Sequence, residues 1–167
     1  MMEYRSFDDN VQLGILVEEI FVKSLQKLKV IVDNYEIEHL YLSGRGSGFM
    51  FDVLLDCKNG KYRNLAIDVK SVGGNLPPRV FVSTRGMNFN KQVRNAISQG
   101  YVPLIAFPKY DINGRMALYP SNWFIYRLTY YSWLNQINSY PSYNKMVKKS
   151  IKLGALGNLI TKSYLKT

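Results

Sequence analysis

Residues 51–70, FDVLLDCKNGKYRNLAIDVK, constrain the fold more strongly than any other part of the chain because they have the pattern of a β-hairpin. Two apolar, β-favouring runs flank a polar segment that contains a glycine. Charged side chains interrupt both runs: Asp52 in the first, and Asp68 and Lys70 in the second. Strand side chains alternate between the two faces of a sheet, so Asp68 and Lys70 share one face. A carboxylate and an ammonium are costly to bury without partners, and a metal-bound active site would explain them.

The length of the hairpin loop decides whether Asp52 and Asp68 face the same way. A two-residue turn would put the two aspartates on opposite faces. A three-residue loop, with Gly60 in a left-handed conformation, instead pairs Cys57 with Lys61. Asp52 then lies diagonal to Asp68, at roughly 5–8 Å between Cβ atoms, and both carboxylates can reach one divalent cation. The sequence permits this loop without forcing it.

A long amphipathic helix is predicted before the hairpin, over residues 11–32. Its apolar residues recur at helical spacing and form a broad buried face: Leu13, Leu16, Val17, Ile20, Phe21, Leu25 and Leu28. Glu18 lies at the edge of this apolar stripe, and Glu19 lies nearer the solvent side. We therefore expect Glu18 to reach the polar face of the hairpin, with two solvated glutamates as the alternative.

Positive charge is concentrated in the second half of the chain. The formal net charge is +10, and Asp111 is the only acidic residue after Asp68. A field of this sign attracts polyanions and predicts a nucleic-acid partner. A basic protein without such a partner, or one that binds an acidic membrane surface, is the alternative. The candidate nucleic-acid contacts are Arg45, Arg79, Arg85, Lys91, Gln92, Arg94, Lys148, Lys149 and Lys152.

Several other functional classes are disfavoured by what the sequence lacks. Cys57 is the only cysteine and His39 the only histidine, so the chain has no intramolecular disulfide, no cysteine-based zinc site and no pair of histidine ligands. There is no apolar run of about 18 residues, which argues against a membrane span. The N-terminus lacks an apolar signal region, so we expect an intracellular, cytoplasmic protein.

The chain as a whole predicts an α/β fold with a mixed central sheet flanked by helices, in the order helix, three strands, helix, strand. Residues 38–43 predict the first strand, and residues 115–119 a further one. A helix capped by Asn88 or Asn90 is expected to end at Gly100. The nearly all-apolar residues 102–107 are typical of a central strand.

The C-terminal part of the sequence is first aromatic and then basic. Residues 121–140 predict a helix, capped by Ser121, whose aromatic side chains pack in the core or at a dimer interface, with stacking on nucleic-acid bases as the alternative. Residues 145–166 form a cationic, amphipathic segment that predicts a DNA-contacting helix, with a membrane-surface segment as the alternative. The predicted organisation is an α/β domain over residues 1–140, with a basic helical extension of the same domain over residues 141–167.

These features resemble the PD-(D/E)XK nuclease superfamily, which includes restriction endonucleases and archaeal-type Holliday junction resolvases. The resemblance rests on Asp52 followed, after 15 intervening residues, by Asp68-x-Lys70, with a glutamate-bearing helix before the hairpin. The segment GILVE, ending at Glu18, is similar to the Gly-x-x-x-Glu of the resolvases, and Gln92 matches a further polar position. The resemblance covers roughly residues 11–107, and it departs from the usual pattern where Phe51 replaces a proline.

The resemblance implies a restriction-endonuclease-like fold and hydrolysis of DNA phosphodiester bonds in recombination or repair, with Mg²⁺ or Mn²⁺ as cofactor. It implies that Asp52, Asp68 and the carbonyl of Val69 hold the metal and that Glu18 completes or water-bridges the site. Lys70 would orient the attacking water and stabilise the anionic transition state. Branched or duplex DNA would be the substrate, and a homodimer would supply two related sites. An inactive nucleic-acid-binding protein on the same fold and a basic structural or packaging protein remain alternatives.

Overall fold

The computed structural model describes residues 7–40, 51–69, 89–108, 123–127, 148 and 150–160. The helices are α1 (Phe7–Gln26), α2 (Lys29–Asn34), α3 (Phe89–Ser98) and α4 (Leu156–Ile160), the last preceded by a single 3-10 turn. The strands are β1 (Tyr35–His39), β2 (Val53–Cys57), β3 (Asn64–Val69), β4 (Tyr101–Pro108), β5 (Trp123–Arg127) and β6 (Ile151–Lys152).

The strands form one six-stranded sheet in the order β1-β2-β3-β4-β5-β6. Strands β3 and β4 are parallel, and the other neighbouring pairs are antiparallel. The predicted α/β class, with a mixed central sheet and accompanying helices, is therefore confirmed. Strand β4 is central, as its apolar sequence predicts, and is buried from Val102 to Pro108.

Helices α1 and α3 pack on opposite faces of the sheet. Val17, Phe21 and Leu25 of α1 join the larger core, which includes Val53, Leu55, Leu65, Ile67 and Val69. Ala96 of α3 packs with Ala66 and Phe51 on the other face. Since side chains alternate along β3, Asp68 lies on the same face as Ala66, the face covered by α3. Its neighbours Ile67 and Val69 lie on the face covered by α1.

The β2–β3 register has the parity that a common facing of Asp52 and Asp68 requires, but the loop differs from the predicted one. Gly60 has φ +69°, the left-handed conformation that the sequence predicts there. The strands pair Val53 with Ile67 and Leu55 with Leu65, however, so the predicted pairing of Cys57 with Lys61 is wrong by two residues. Asn59 explains the longer loop, because its Oδ1 accepts the N–H of Lys61 within the loop over 3.0 Å.

The first helix is shorter at its C-terminus than the predicted span of residues 11–32. It ends at Gln26, where Lys27 and Leu28 turn their N–H groups to carbonyls three residues back, and α2 then begins at Lys29. Val17, Phe21 and Leu25 are buried as expected, but Leu16 is 51% exposed, so the predicted apolar face is too broad. The first strand, Tyr35–His39, begins three residues before the predicted strand at residues 38–43 and overlaps it at residues 38–39. Residues 41–43 lie outside the described part.

The C-terminal half contains strands where helices are predicted. Trp123–Arg127 forms β5, not the start of a helix, and Trp123 is fully buried, with its ring 5.1 Å from that of Phe21. Ile151–Lys152 forms β6 on the edge of the sheet. Leu153, Leu156 and Ile160 pack in the same core as α1. The predicted strand at residues 115–119 and the aromatic residues 128–140 lie outside the described residues.

Helix α3 agrees closely with its prediction. It begins at Phe89, between the two candidate capping asparagines, and Val93 and Ala96 supply its buried side. Gly100 follows it with φ +86° and donates its N–H to the carbonyl of Ile97 over 3.0 Å. A glycine in this conformation ends the helix without a Cβ penalty and returns the chain directly into β4.

Candidate active site

Asp52 is fixed by three hydrogen bonds at the point where β2 begins. Its N–H donates to the carbonyl of Ile67 over 2.9 Å, and its own carbonyl accepts the N–H of Leu40 over 2.7 Å. Its side-chain Oδ2 accepts the N–H of Val69 over 2.7 Å. The residue is only 5% exposed. Asp52 is therefore held between β1 and β3, and its carboxylate is directed at the end of β3.

Asp68 lies beside this contact. The peptide group whose N–H binds the Asp52 carboxylate is the one that joins Asp68 to Val69. Asp68 is 3% exposed and stands on the α3 face of β3, in register with Ile105 of β4. Both predicted aspartates thus lie at one end of the β2–β3 pair, and both are largely withdrawn from water.

The backbone direction of β3 bears on the predicted role of the Val69 carbonyl. Ile67 offers its carbonyl, and Val69 its N–H, to the β2 side of the strand. The N–H and C=O groups of one strand residue point toward the same neighbouring strand. The carbonyl of Val69 is therefore expected on the side of Asp52, where the predicted cation site requires it.

Glu18 approaches this end of the sheet from the other face. Helix α1 covers the apolar face of the hairpin, so Glu18 does not lean over the polar face as its helical position predicts. Its Oε2 lies 2.9 Å from Nε2 of His39, and the two side chains are 13% and 8% exposed. His39 pairs with Val53, the residue after Asp52. The Glu18–His39 pair therefore lies on the α1 face of the sheet, beside the residue that follows Asp52.

The donor atoms at this strand end suit a hard divalent cation. Carboxylate and carbonyl oxygens are the ligands that Mg²⁺ prefers, and Mg²⁺ is commonly held by one or two carboxylates with the remaining positions left to water or phosphate. Asp52 and Asp68 supply that number of carboxylates. Within the described ranges, no group of three or more His, Cys, Asp and Glu side chains is arranged to hold a metal, so Glu18 does not cluster with both aspartates as a direct ligand.

The predicted nucleic-acid contacts are only partly covered by the described residues. Arg94 is exposed and Gln92 half-buried on α3, the helix on the same face as Asp68. Lys148 and Lys152 are exposed, and Lys152 pairs with Phe124 at the far edge of the sheet. Lys91 lies on α3, but its side chain is not described. The other predicted contacts lie outside the described part of the chain, as does Lys70: Arg45, Arg79, Arg85 and Lys149.

His39 is the residue at this strand end that sequence reasoning missed. A single histidine in the sequence forms no pattern of metal ligands and no nucleophile–histidine pair. The available signal was its position in a strand with alternating exposure, where His39 follows Tyr35 and Ile37 on the buried side. A histidine at a buried strand position needs a polar partner, and a glutamate at the edge of an apolar helix face is the natural one.

Comparison of the chain with protein-family models, with curated proteins and with solved structures finds no match in any of the three. None of the helices in the described part of the chain has the length and apolar character that crossing a bilayer requires.

Proposed function

We propose that this chain is a metal-dependent DNA endonuclease of the PD-(D/E)XK type, acting on branched DNA in the manner of a Holliday junction resolvase. One observation carries the proposal. Asp52 and Asp68 are both buried at the same strand end, and the carboxylate of Asp52 accepts the N–H of the peptide that follows Asp68. Two carboxylates placed together away from water are costly for a fold, and a shared cation would offset that cost.

The residues at this strand end have distinct proposed roles. Asp52, Asp68 and the carbonyl of Val69 would hold Mg²⁺ or Mn²⁺. Such a cation, when bound, lowers the pKa of a coordinated water and offsets the negative charge that develops on the phosphate. Lys70, the residue that follows β3 in the sequence, would orient the attacking water and stabilise the anionic transition state. The hydrogen bond from Val69 keeps the Asp52 carboxylate in place before substrate arrives.

The proposed fold is the restriction-endonuclease-like one. It is supported by the order of α1, the antiparallel strands β1, β2 and β3, then α3 and a strand β4 parallel to β3. It is also supported by the placement of α1 and α3 on opposite faces of the sheet. The formal net charge of +10 supports a polyanionic substrate.

A cleavage panel tests the proposal. Purified protein is incubated with four-way junctions, flapped DNA, linear duplex DNA and RNA, each with Mg²⁺, with Mn²⁺ and with chelator. We expect cleavage only with a divalent cation, and faster cleavage of the branched DNA. Cleavage that persists in chelator, or no cleavage of any substrate with either cation, would contradict the proposal.

Matched aspartate variants locate the reaction. Asp68→Asn keeps the shape of the side chain but removes its charge, and we expect it to lower the cleavage rate by orders of magnitude while DNA affinity is retained. Asp56→Asn makes the same chemical change on β2, where the carboxylate instead accepts a hydrogen bond from Tyr101, and should cleave like the wild type. Equal rates for the two variants would show that Asp68 is not in the active site.

The same panel separates the alternatives. Salt-dependent DNA binding without cleavage, in a protein that binds no Mn²⁺, would favour an inactive nucleic-acid-binding protein on this fold. A protein with neither metal binding nor salt-dependent DNA affinity would favour a basic structural role.

A further inference from the structure

Strand β1 lies at one edge of the six-stranded sheet, beside β2. Residues that bond to β2 alternate along its backbone with residues that do not. Asn34, just before β1, accepts the N–H of Lys58 over 2.8 Å, and Leu40, just after it, donates its N–H to β2. The N–H and C=O groups of Ile37 therefore point away from β2. No described residue binds them, so the middle of β1 offers one free donor and one free acceptor to a further strand.

Three carboxylates lie on the α3 face of the β1–β2 pair, and we call them the acidic face: Glu36, Glu38 and Asp56. Glu36 stands directly opposite Asp56, and Glu38 stands opposite Leu54, which packs with the core residues under α3. The hydroxyl of Tyr101 donates to Asp56 over 2.6 Å. Burial, this hydrogen bond and the charges of Asp56 and Glu38 all raise the pKa of Tyr101, so Glu38 lies within electrostatic range of the same contact.

The acidic face lacks a balancing positive charge in the described part of the chain. Directly opposed like charges destabilise an antiparallel pair of strands, and this cost applies to Glu36 and Asp56. Glu36 and Glu38 are exposed, and neither forms an ion pair with a described residue. The described carboxylates are also not grouped closely enough for three of them to hold one metal ion. Several positive charges spaced along the strand would fit the acidic face better than a single cation.

A strand added to β1 would supply positive charges at this spacing. Successive strand residues rise by about 3.3 Å and alternate between faces, so every second residue of an added strand would lie beside Glu36 or Glu38. We propose, independently of the endonuclease function, that the β1 edge binds an extended segment of another protein with Lys or Arg at every second position. Ile37 would bond to its main chain, and the acidic face would attract its basic side chains.

A second copy of this chain fits the β1 edge poorly. Antiparallel pairing of two β1 strands about Ile37 would place Glu36 of each copy opposite Glu38 of the other. Four carboxylates would then share one face, and like charges in that arrangement repel. Charged side chains commonly protect edge strands from such self-association. The same two glutamates thus disfavour a second copy and favour a basic strand.

Synthetic peptides test the proposal. The probe is the fluorescently labelled peptide TKVKVKT, whose lysines would face the glutamates while its valine N–H groups face Ile37. One control, TEVEVET, reverses the charge, and the other is TKVKVKT with N-methylated valines, which keeps the charge but lacks those donors. Anisotropy at low salt measures affinity, and amide exchange by NMR measures protection of Ile37. The net charge of +10 repels cationic peptides in general, so binding requires a local acidic surface.

We expect the wild type to bind TKVKVKT more tightly than either control, and the bound peptide to slow exchange of the Ile37 amide. Glu36→Gln and Glu38→Gln should each weaken this binding by about two- to fivefold, because each loses one opposite-charge pair across the strands. Glu19→Gln makes the same chemical change on α1 and should bind the peptide like the wild type.

Equal affinity for the lysine and glutamate peptides, or affinity for TKVKVKT that neither Glu36→Gln nor Glu38→Gln changes, would overturn the proposal. Equally tight binding of the N-methylated peptide, or unchanged exchange of the Ile37 amide, would indicate charge pairing without strand addition and would also overturn it. Protection of Ile37 that grows with protein concentration in the absence of peptide would instead assign the β1 edge to a second copy.

Discussion

Two aspartates near one another in the sequence have different hydrogen-bond environments. Asp52 accepts a backbone N–H from Val69 in the interior, whereas Oδ1 of Asp56 accepts a 2.6 Å hydrogen bond from the hydroxyl of Tyr101. A hydroxyl donor and a backbone donor both stabilise a carboxylate, but only Asp52 is placed beside a second buried carboxylate. This difference makes Asp56 a structural residue and a suitable control for the candidate site.

The Tyr101–Asp56 contact predicts a change in stability at high pH. Burial, and next the hydrogen bond to Asp56, raise the pKa of Tyr101 from 10.0 to about 12. The unfolded chain therefore loses the tyrosine proton at a lower pH than the folded protein does. The stabilisation from this group is fully present below pH 10.0 and is lost as the pH rises toward about 12.

Replacing Tyr101 by Phe checks this expectation. The free energy of unfolding of Tyr101→Phe should fall less steeply than that of the wild type over the same pH interval, as measured by urea denaturation at a series of pH values. Absorbance at alkaline pH should also show that Asp56→Asn lowers the pKa of the tyrosine. Identical pH profiles for wild type and Tyr101→Phe would contradict the prediction.

The sequence could nominate Asp52 and Asp68 because charged residues in short apolar runs are conspicuous without knowledge of the fold. It could not assign Glu18 a partner, because His39 is 21 residues away and the contact depends on how α1 crosses the sheet. The helical wheel correctly located Glu18 at the edge of the buried stripe. Periodicity does not tell which face of the hairpin the helix covers, because that depends on tertiary packing.

At the scale of elements, the close approach of α4 to α2 depends on Gly157. A Cβ built on Gly157 would lie 2.7 Å from Cγ1 of Val30, and real Cβ atoms do not approach so closely. We expect Gly157→Ala to destabilise the protein by about 1–3 kcal/mol, the usual cost of overpacking a core. Urea unfolding of the purified variant measures this cost.

Gly154→Ala is the matched control, because a Cβ built on Gly154 would have no neighbouring atom within 4 Å. It should change stability much less than Gly157→Ala. The double variant Gly157→Ala/Val30→Ala should recover part of the loss, since it removes the methyl group that would clash. Equal effects of the two glycine substitutions would show that helix propensity, not packing, sets the cost.

Element prediction succeeded where the pattern was local and failed where burial came from distant segments. The strands of the hairpin, helix α3 and the central strand β4 follow directly from alternation, spacing and the closing glycine Gly100. Strand β5 was mistaken for a helix because its residues are apolar in succession, and such a run is compatible with either structure. The two-residue strand β6 is too short to have a pattern of its own.

At the scale of the whole molecule, the basic C-terminal segment is also part of the core. Ile151 packs against that core and Leu153, Leu156 and Ile160 lie within it, so truncating the segment would remove interior contacts along with positive charge. Substitution of exposed lysines therefore tests DNA contacts more cleanly than deletion. Lys148 and Lys152 are exposed and suitable for this purpose.

We expect Lys148→Ala and Lys152→Ala to weaken DNA binding and to flatten its salt dependence. Each lost phosphate contact should reduce the slope of log affinity against log salt by about 0.9. Lys29→Ala, an equal change of charge at an exposed position on α2, is the control and should leave the slope unchanged. Fluorescence anisotropy of a labelled duplex across a salt series measures the slopes. The same slope for all three variants would place the DNA elsewhere on the surface.

Cutting two strands of a junction requires two active sites, and a homodimer with two-fold symmetry supplies them directly. Trp123, Phe124 and Tyr126 are buried within a single chain, so we do not expect these aromatic residues to form the dimer contact. The later aromatic residues of the same segment, among them Trp133, remain candidates by composition.

We therefore expect sedimentation at micromolar concentration to show a dimer, and Trp133→Glu to convert it to a folded monomer. Mixed dimers provide the functional counterpart. When wild type is exchanged with an excess of Asp68→Asn, junctions should be nicked on one strand, because only one subunit of each mixed dimer retains its candidate cation site. Full two-strand cleavage in proportion to the remaining wild type would instead indicate independent subunits. A wild type that sediments as a monomer with and without DNA would contradict the dimer outright.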